Sequence, residues 1–163
     1  LKPAFKPNGV ITAGNSSQIS DGAAALLLVS EDILNKFNLE PIAKIKSMAV
    51  VGTDPVLMLS GPIPATRKAL DQAKLKPEDI NLAEINEAFS SVVGAWRKEF
   101  PEINYENVNA NGGSIAIGHP LGATGARLMT NLIHEMKRNK LKYGLQAICE
   151  GGGTANATIV ELV

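Results

Sequence analysis

Apolar residues along this chain form two kinds of pattern, short continuous runs that are typical of buried strands and runs with helical spacing. The continuous runs are bounded by glycine, proline, asparagine and serine, which favour turns. The predicted strands cover residues 23–29, 42–51, 80–85, 114–117, 143–149 and 155–162.

Helical patterns fill most of the remaining chain. Ser30 is a suitable N-cap for a short helix over residues 31–37, and proline is tolerated in the first turn of a helix that we predict from 62 to 74. A longer helix is predicted over residues 122–139. Another helical face, which makes Trp96 a predicted core residue, is formed by Phe89, Val92, Val93, Trp96 and Phe100.

Strands that alternate with helices predict an α/β fold with a mixed, mostly parallel sheet and helices on its faces. The last two predicted strands are separated only by residues 150–154, so they must close the sheet as an antiparallel hairpin. Ligands of such sheets bind beyond the carboxyl ends of the strands. Asn86, His119 and Cys149 each follow a predicted strand, which indicates a common site.

Composition narrows the function classes. The 163 residues suffice for one substantial core, and 16 Lys+Arg balance 16 Asp+Glu, which gives no electrostatic case for nucleic acid or an anionic membrane. No apolar run approaches the roughly 20 residues that span a bilayer. A single cysteine excludes an intrachain disulfide and fits a reducing compartment. We therefore expect a cytoplasmic location. The sequence is also compatible with an organelle-targeting peptide before Leu1.

Cys149 ends an apolar run and is followed by Glu150 and three glycines. Glycines allow close approach to the backbone, so the amides after Cys149 are candidate donors to an oxyanion. A lone cysteine in an apolar strand is about as often an inert core residue, and the lone His119 has a similar structural alternative. Two such residues beside glycine-rich segments favour an active site.

Three further sequence features concern helix capping, phosphate binding and metal binding. Asn86 either caps a helix or points its amide into the site. The glycine-rich segment 111–125 is not a P-loop, because no Gly-Lys-Ser/Thr follows at the required spacing, and it lacks Gly-x-Gly-x-x-Gly. No His/Cys cluster has the spacing of metal ligands, so we expect no metal site.

Three segments resemble the active-site blocks of the thiolase family, and together with two shorter motifs the resemblance covers essentially the whole chain. The three blocks are NEAF at 86–89, NGGSIAIGHPLGATGAR at 111–127 and CEGGG at 149–153. The shorter motifs are TAGNSS at 12–17 and GPIPAT at 61–66. The resemblance implies a thiolase-like layered fold and an acetyl-CoA acetyltransferase or 3-ketoacyl-CoA thiolase. Acyl-CoA and CoA are then substrate and product, and no separate cofactor is expected.

The resemblance also implies a role for each matched residue. His119 would activate a nucleophilic cysteine and donate to the thioester oxygen, and Asn86 would hold a water that completes this oxyanion hole. Cys149 would be the acid/base toward a carbanion, and the amide of Gly151 would help to bind the acyl-enzyme oxyanion. Ser17 would contact the pantetheine arm of CoA. The implied substrate-binding residues are Ala13, Ser17, Met58, Ala88 and Phe89, the last three lining the acyl pocket.

In this family the nucleophilic cysteine lies in an N-terminal half that these 163 residues do not contain, and we expect that half as a partner, either as part of the same protein or as a separate subunit. Residues 1–22 would be the end of a CoA-contacting loop region, 23–39 a strand and helix that belong with the N-terminal half, and 40–163 the C-terminal domain. The chain alone is expected to be inactive, and the complete enzyme to be a homodimer or homotetramer.

Two alternatives stay open on the residues. A ketoacyl synthase would place a histidine where Asn86 stands, which counts against it. A non-catalytic CoA- or lipid-binding or assembly module is the other, and the presence of His119, Asn86 and Cys149 together argues against it.

Overall fold

A four-stranded mixed sheet is the centre of the fold in the computed structural model, which describes residues 1–163. Its strands are β1 (Ala43–Gly52), β2 (Leu82–Ile85), β3 (Tyr143–Cys149) and β4 (Thr154–Leu162). They lie in the order β1-β4-β3-β2, with β4 antiparallel to both neighbours and β2 parallel to β3. The predicted hairpin is confirmed. Three strands do run in one direction, but β4 lies among them, so most neighbouring pairs are antiparallel.

The chain also has five α-helices, and some of them pack on each face of the sheet. They are α1 (Glu31–Phe37), α2 (Pro62–Ala73), α3 (Ser90–Glu99), α4 (Ser114–Ile117) and α5 (Thr124–Asn139). Side chains of a strand point alternately to its two faces. On one face, residues such as Ala83 and Leu145 join the main core with α2 and α3, whereas on the other Leu82 packs with Leu132 of α5. None of the helices is long and apolar enough to cross a membrane.

The main core confirms Trp96 as a structural residue. Its side chain is fully buried, and its Nε1 donates to Thr66 Oγ1 at 2.9 Å, which joins α3 to α2. The ring also packs on Phe100, with 5.0 Å between ring centroids. A buried indole N–H needs such a partner.

The opposite face depends on a close approach between β3 and α5. A Cβ built on Gly144 would lie 2.4 Å from Met136 Sδ and 3.0 Å from Leu132 Cδ1. Because glycine has no side chain, the C-terminal half of α5 packs close to β3.

Two predicted strands are wrong. Residues 23–29 have no regular structure, and Leu27 and Leu28 are 81% and 68% exposed. A strand is stable only when another strand pairs with it, and no segment of this chain pairs with these residues. Residues 114–117 form the short helix α4 instead, and its backbone is stabilised by the Glu87 carboxylate, which accepts from Ile115 N.

Candidate active site

Asn86 lies directly after β2 and is one of the most buried polar residues, at 1% exposure. Its backbone N–H donates to Ala147 O at 2.9 Å, which extends the pairing of β2 with β3. Its side chain accepts from Ser114 Oγ at Oδ1 (2.9 Å) and has Nδ2 3.7 Å from Cys149 Sγ. Helix α3 begins later, with Phe89 as its N-cap. Asn86 therefore does not cap that helix, and its amide points to the thiol.

Cys149 is the last residue of β3 and is 8% exposed. Burial raises the pKa of its thiol, an effect that hydrogen bonds from the Asn86 amide and from the backbone of Cys149 and Ala88 partly oppose. The thiol is therefore protonated near neutral pH. The Asn86 N–H lies where it would stabilise the thiolate when the proton is lost.

The glycines after Cys149 form a tight turn, Gly151–Gly153, that leads into β4. Gly152 and Gly153 have φ values of 74° and 83°, which favour glycine. A Cβ on Gly153 would lie 2.7 Å from Thr53 O, whereas one on Gly151 would meet no atom within 4 Å. The turn is thus packed on one side against the loop that follows β1. At Gly151 the backbone is open to a ligand.

His119 follows helix α4 and not a strand, which corrects the prediction. The N-terminal segment positions it, because His119 N donates to Gln18 O at 2.7 Å and His119 forms a parallel β-bridge with Ile19. Before it, Gly118 has a φ of 88°, and a Cβ there would lie 2.4 Å from Ser20 Oγ. Residues 18–20 therefore hold the histidine from one side.

The proton on the imidazole ring can be assigned from its neighbours. His119 Nδ1 lies 2.7 Å from Thr124 Oγ1, and that hydroxyl donates to the Pro120 carbonyl at 3.0 Å. With the single proton of the Thr124 hydroxyl directed to Pro120 O, we assign Thr124 Oγ1 as the acceptor of Nδ1–H. The lone pair of the neutral ring is then on Nε2. Burial and the nearby Arg127 both lower the pKa of His119, so at neutral pH this nitrogen is a free base.

The N-terminal segment also contacts the other predicted residues. Ser17 N donates to Ala88 O at 3.1 Å, and Ser16 forms a β-bridge with Phe89. Because Ile19 of the same segment forms a β-bridge with His119, residues 16–19 connect Ala88 and Phe89 to the histidine. Ser17, Ala88, Phe89 and His119 therefore lie in one surface region.

Two predicted substrate-binding residues have no hydrogen bond to this group. Ala13 is exposed in the short 3-10 helix Ala13–Asn15. Met58 is half-buried in the loop after β1, with a φ of 50° and its N–H donating to Asp54 O at 2.8 Å. That loop reaches the glycine turn through Thr53, whose N–H and hydroxyl both donate to Gly153 O.

Several residues that support the site are not evident from sequence patterns. Glu87 accepts from Asn109 Nδ2 and Ile115 N, both at 2.9 Å, and a Cβ on Gly113 would come within 2.2 Å of its carboxyl carbon. Glu87 therefore fixes α4, the helix that carries Ser114. Its place in the NEAF block is the one sequence signal for this role.

Glu84 is the most unusual side chain near the site. It is fully buried on β2, and neither carboxylate oxygen has a hydrogen-bond partner. Burial raises its pKa to about 8, against the opposing effect of Arg127, while Glu87 and Glu135 add to the rise. Glu84 is therefore mostly neutral at pH 7. A charged residue type inside a four-residue apolar strand was the signal that could have identified it.

No three His, Cys, Asp or Glu side chains come together as a metal site would require. What the residues do form is a half-buried imidazole base, a buried thiol with an amide donor, and an open glycine turn, all at one edge of an α/β sheet.

This combination defines an α/β protein with a buried thiol and an imidazole in one region, and comparison with known proteins gives the family. Residues 39–162 match the model of the thiolase C-terminal domain, and residues 1–32 match that of the thiolase N-terminal domain. The chain belongs to the thiolase family.

Individual relatives agree with this assignment. The chain is 55% identical over 161 residues to the steroid 3-ketoacyl-CoA thiolase FadA6 of Mycobacterium tuberculosis, covering 99% of this chain and 39% of that protein. It is 47% identical over 166 residues to the 3-ketoacyl-CoA thiolase FadA of Escherichia coli, covering 100% and 43%. The chain thus spans about two fifths of the length of these relatives.

Solved structures show the same fold. The acetyl-CoA acetyltransferase of Bacillus anthracis superposes with a TM-score of 0.96 at 45% identity, over all of this chain and 41% of that one. Human mitochondrial 3-ketoacyl-CoA thiolase in complex with CoA gives a TM-score of 0.92 at 40% identity, again over 100% and 41%. The predicted thiolase-like α/β fold is confirmed.

Proposed function

We propose that this chain forms the C-terminal part of a thiolase active site, which transfers acyl groups to or from CoA. The reaction is thiolysis of a 3-ketoacyl-CoA or the reverse condensation of acetyl-CoA. The observation that carries this proposal is the geometry of the two groups: His119 Nδ1 lies 2.7 Å from Thr124 Oγ1, and the Cys149 thiol lies 3.7 Å from the Asn86 amide nitrogen. Relatives named for both directions of the reaction support it.

His119 would begin the reaction. Its Nε2 accepts the proton of a nucleophilic thiol, and the thiolate attacks the substrate carbonyl. The Nδ1–H stays bonded to Thr124 Oγ1 (2.7 Å) throughout, so the ring keeps its orientation. Once protonated, Nε2–H becomes a donor to the developing oxyanion, and such donors contribute roughly 3 kcal/mol.

Cys149 would handle the proton on carbon. In thiolysis, the carbon–carbon bond breaks and the electron pair passes to the α-carbon of acetyl-CoA, which takes the proton of the Cys149 thiol. In condensation, the Cys149 thiolate removes a proton from the methyl group of acetyl-CoA. The Asn86 amide, 3.7 Å away, stabilises the thiolate in both directions. Positioned proton transfer of this kind contributes about 10²- to 10⁴-fold.

The remaining groups would bind the thioester. Gly151 offers an open backbone amide as an oxyanion donor. Ser17, Ala88 and Phe89 adjoin one another and would contact the pantetheine arm and acyl group, with Met58 and Ala13 as further predicted contacts.

A second thiol is needed for the acyl-enzyme, because Cys149 is the only cysteine of this chain. We propose that an N-terminal thiolase half supplies it as a partner, and that the complete enzyme forms a homodimer or homotetramer.

Reconstitution tests this function. The chain is coexpressed with an N-terminal thiolase half that carries the nucleophilic cysteine, and thiolysis of acetoacetyl-CoA is followed with free CoA present. We expect activity from the pair and none from either part, with His119→Ala and Cys149→Ser inactive in the pair and the exposed Glu102→Gln fully active. A pair that binds CoA but never cleaves acetoacetyl-CoA would instead support a non-catalytic module.

A further inference from the structure

Ser114 and Arg127 continue a row of hydrogen-bonding groups that begins at Cys149 and Asn86. The buried hydroxyl of Ser114 lies 2.9 Å from Asn86 Oδ1 and 3.4 Å from Arg127 Nη2. Arg127 Nη1 also lies 3.4 Å from Ile117 O, so the guanidinium contacts both ends of α4. From Arg127, the row continues through Ser114 and Asn86 to the thiol of Cys149.

The direction of the hydrogen bonds in this row follows from its first member. A guanidinium has only donors, so the Ser114 oxygen accepts from Arg127. The proton of the buried Ser114 hydroxyl then needs an acceptor, and it has one in Asn86 Oδ1. With Oδ1 engaged, the amide nitrogen of Asn86 is the end that faces Cys149 Sγ.

The opposite orientation of the amide would have a different chemistry. A carboxamide turned by 180° would direct its oxygen to the thiol, and an oxygen cannot donate to a thiolate or to a substrate oxyanion. The amide hydrogen bond lowers the pKa of Cys149 against the effect of burial. Reversal would therefore remove the side-chain donor from both the thiol and the substrate.

We propose that Ser114 and Arg127 are positioning residues that fix the orientation of the Asn86 amide, so that its NH₂ group faces Cys149 and the reacting atoms. This inference deepens the proposed function and rests on it for the catalytic consequence. The orientation itself is a property of the residues of this chain.

Titration of Cys149 tests the proposal without a catalytic assay, because it is the only thiol in the chain. The rate of alkylation by iodoacetamide is measured against pH. Ser114→Ala and Arg127→Met are each expected to move the midpoint of the profile to higher pH. They should slow alkylation at pH 8 about three- to tenfold, as for one lost hydrogen bond. An unchanged rate at the high-pH plateau shows that access to the thiol is the same.

A double variant distinguishes an effect of Arg127 that passes through Ser114, here called the relay, from a direct effect of the Arg127 charge on the thiol. If Arg127 acts through Ser114, then Ser114→Ala combined with Arg127→Met alkylates no more slowly than the slower single variant. Arg138→Met removes a cation from the exposed end of α5, away from the row, and should leave the midpoint unchanged. Circular dichroism checks that each variant is folded.

If the variants do not fold, a measurement on the parent chain tests the same proposal. The ¹⁵N-bound protons of the Asn86 NH₂ group should shift with the same midpoint as Cys149 ionisation, because they face the sulfur. NH₂ signals that do not shift when Cys149 ionises would overturn the proposal. So would an unchanged alkylation midpoint in both single variants, or fully additive changes in the double variant.

The outcome is separable from that of the proposed function. A reconstituted pair that cleaves acetoacetyl-CoA, with unmoved Cys149 midpoints, contradicts the relay and keeps the function. Moved midpoints in a pair that lacks thiolysis keep the relay and contradict the function.

Discussion

The thiol region and the imidazole region of this site are held in different ways. Cys149 and Asn86 lie on adjacent strands whose pairing continues up to Asn86 N and Ala147 O. His119 lies outside the sheet and is held by Gln18 and Ile19 of an irregular segment. The Cys149 thiol is therefore positioned by the sheet of the domain core, whereas the imidazole is positioned by a segment that is followed by exposed apolar residues. Only the first region is built on the paired strands of the sheet.

Replacing the two groups in the reconstituted enzyme is the strongest way to test this contrast. Cys149→Ser should lower condensation of acetyl-CoA by about 10²- to 10⁴-fold, because a hydroxyl is a much weaker acid than a thiol. The initial burst of free CoA should survive, since acyl-enzyme formation in the proposed mechanism uses the cysteine of the N-terminal half with His119. His119→Ala should suppress both steps.

Rapid-quench detection of the acyl-enzyme, together with steady-state condensation, measures the two steps. Loss of the burst in Cys149→Ser with condensation spared, or no change in either, would show that the role given to Cys149 is wrong.

A smaller effect is expected at the partner of the imidazole. Thr124→Val removes the acceptor of His119 Nδ1–H, so the ring loses both its orientation and its preferred tautomer. Acyl-enzyme formation should slow about 10²-fold, while the alkylation midpoint of Cys149 stays in place. Thr130→Val is the matched control on α5, because its hydroxyl donates only to Ala126 O of the same helix. A shifted Cys149 midpoint would mean that the two regions are not separate.

The smallest expected effect concerns the stability of the thiol region. A carboxyl group with an ordinary pKa of 4.5 and a folded pKa of about 8 binds more protons in the folded state between these values. The free energy of unfolding should therefore fall as pH rises from about 4.5 to about 8. We expect a loss of about 2 kcal/mol, less than the full pKa difference implies because surrounding groups relax.

Glu84→Gln should abolish this fall. Urea unfolding at pH 5 and pH 8.5 measures it, and Glu102→Gln, an exposed carboxyl, should keep the slope of the parent chain. Identical pH dependence in the parent and in Glu84→Gln would show that Glu84 is not the group responsible.

Local sequence patterns were sufficient to predict the helices that pack against the core by one face. The apolar spacing around Trp96, the proline start of α2 and the cap at Ser30 each act within a few residues, so the sequence predicted the corresponding helices. The apolar run 23–29 failed because strand formation depends on a neighbour and not on composition alone.

The supports of the site could be predicted only in part for the same reason. Cys149, His119 and Asn86 stand in recognisable motifs, whereas their orientation depends on contacts between distant segments. Glu87 stabilises α4 from 28 residues away, and Ser114 lies equally far from Asn86 along the chain. Only the folded structure brings those partners together.

The position of β4 has a consequence for how the domain folds during synthesis. Gly52 pairs with Thr154, so about 100 further residues must be synthesised after β1 before its partner strand begins. At roughly 5–20 residues per second, that delay is about 5–20 s. Throughout it, β1 has unpaired edges, which invite association with other chains. The helices can form as they emerge, but the sheet closes in one late event. A nascent chain stalled before residue 154 would therefore lack the strand that joins β1 to β3.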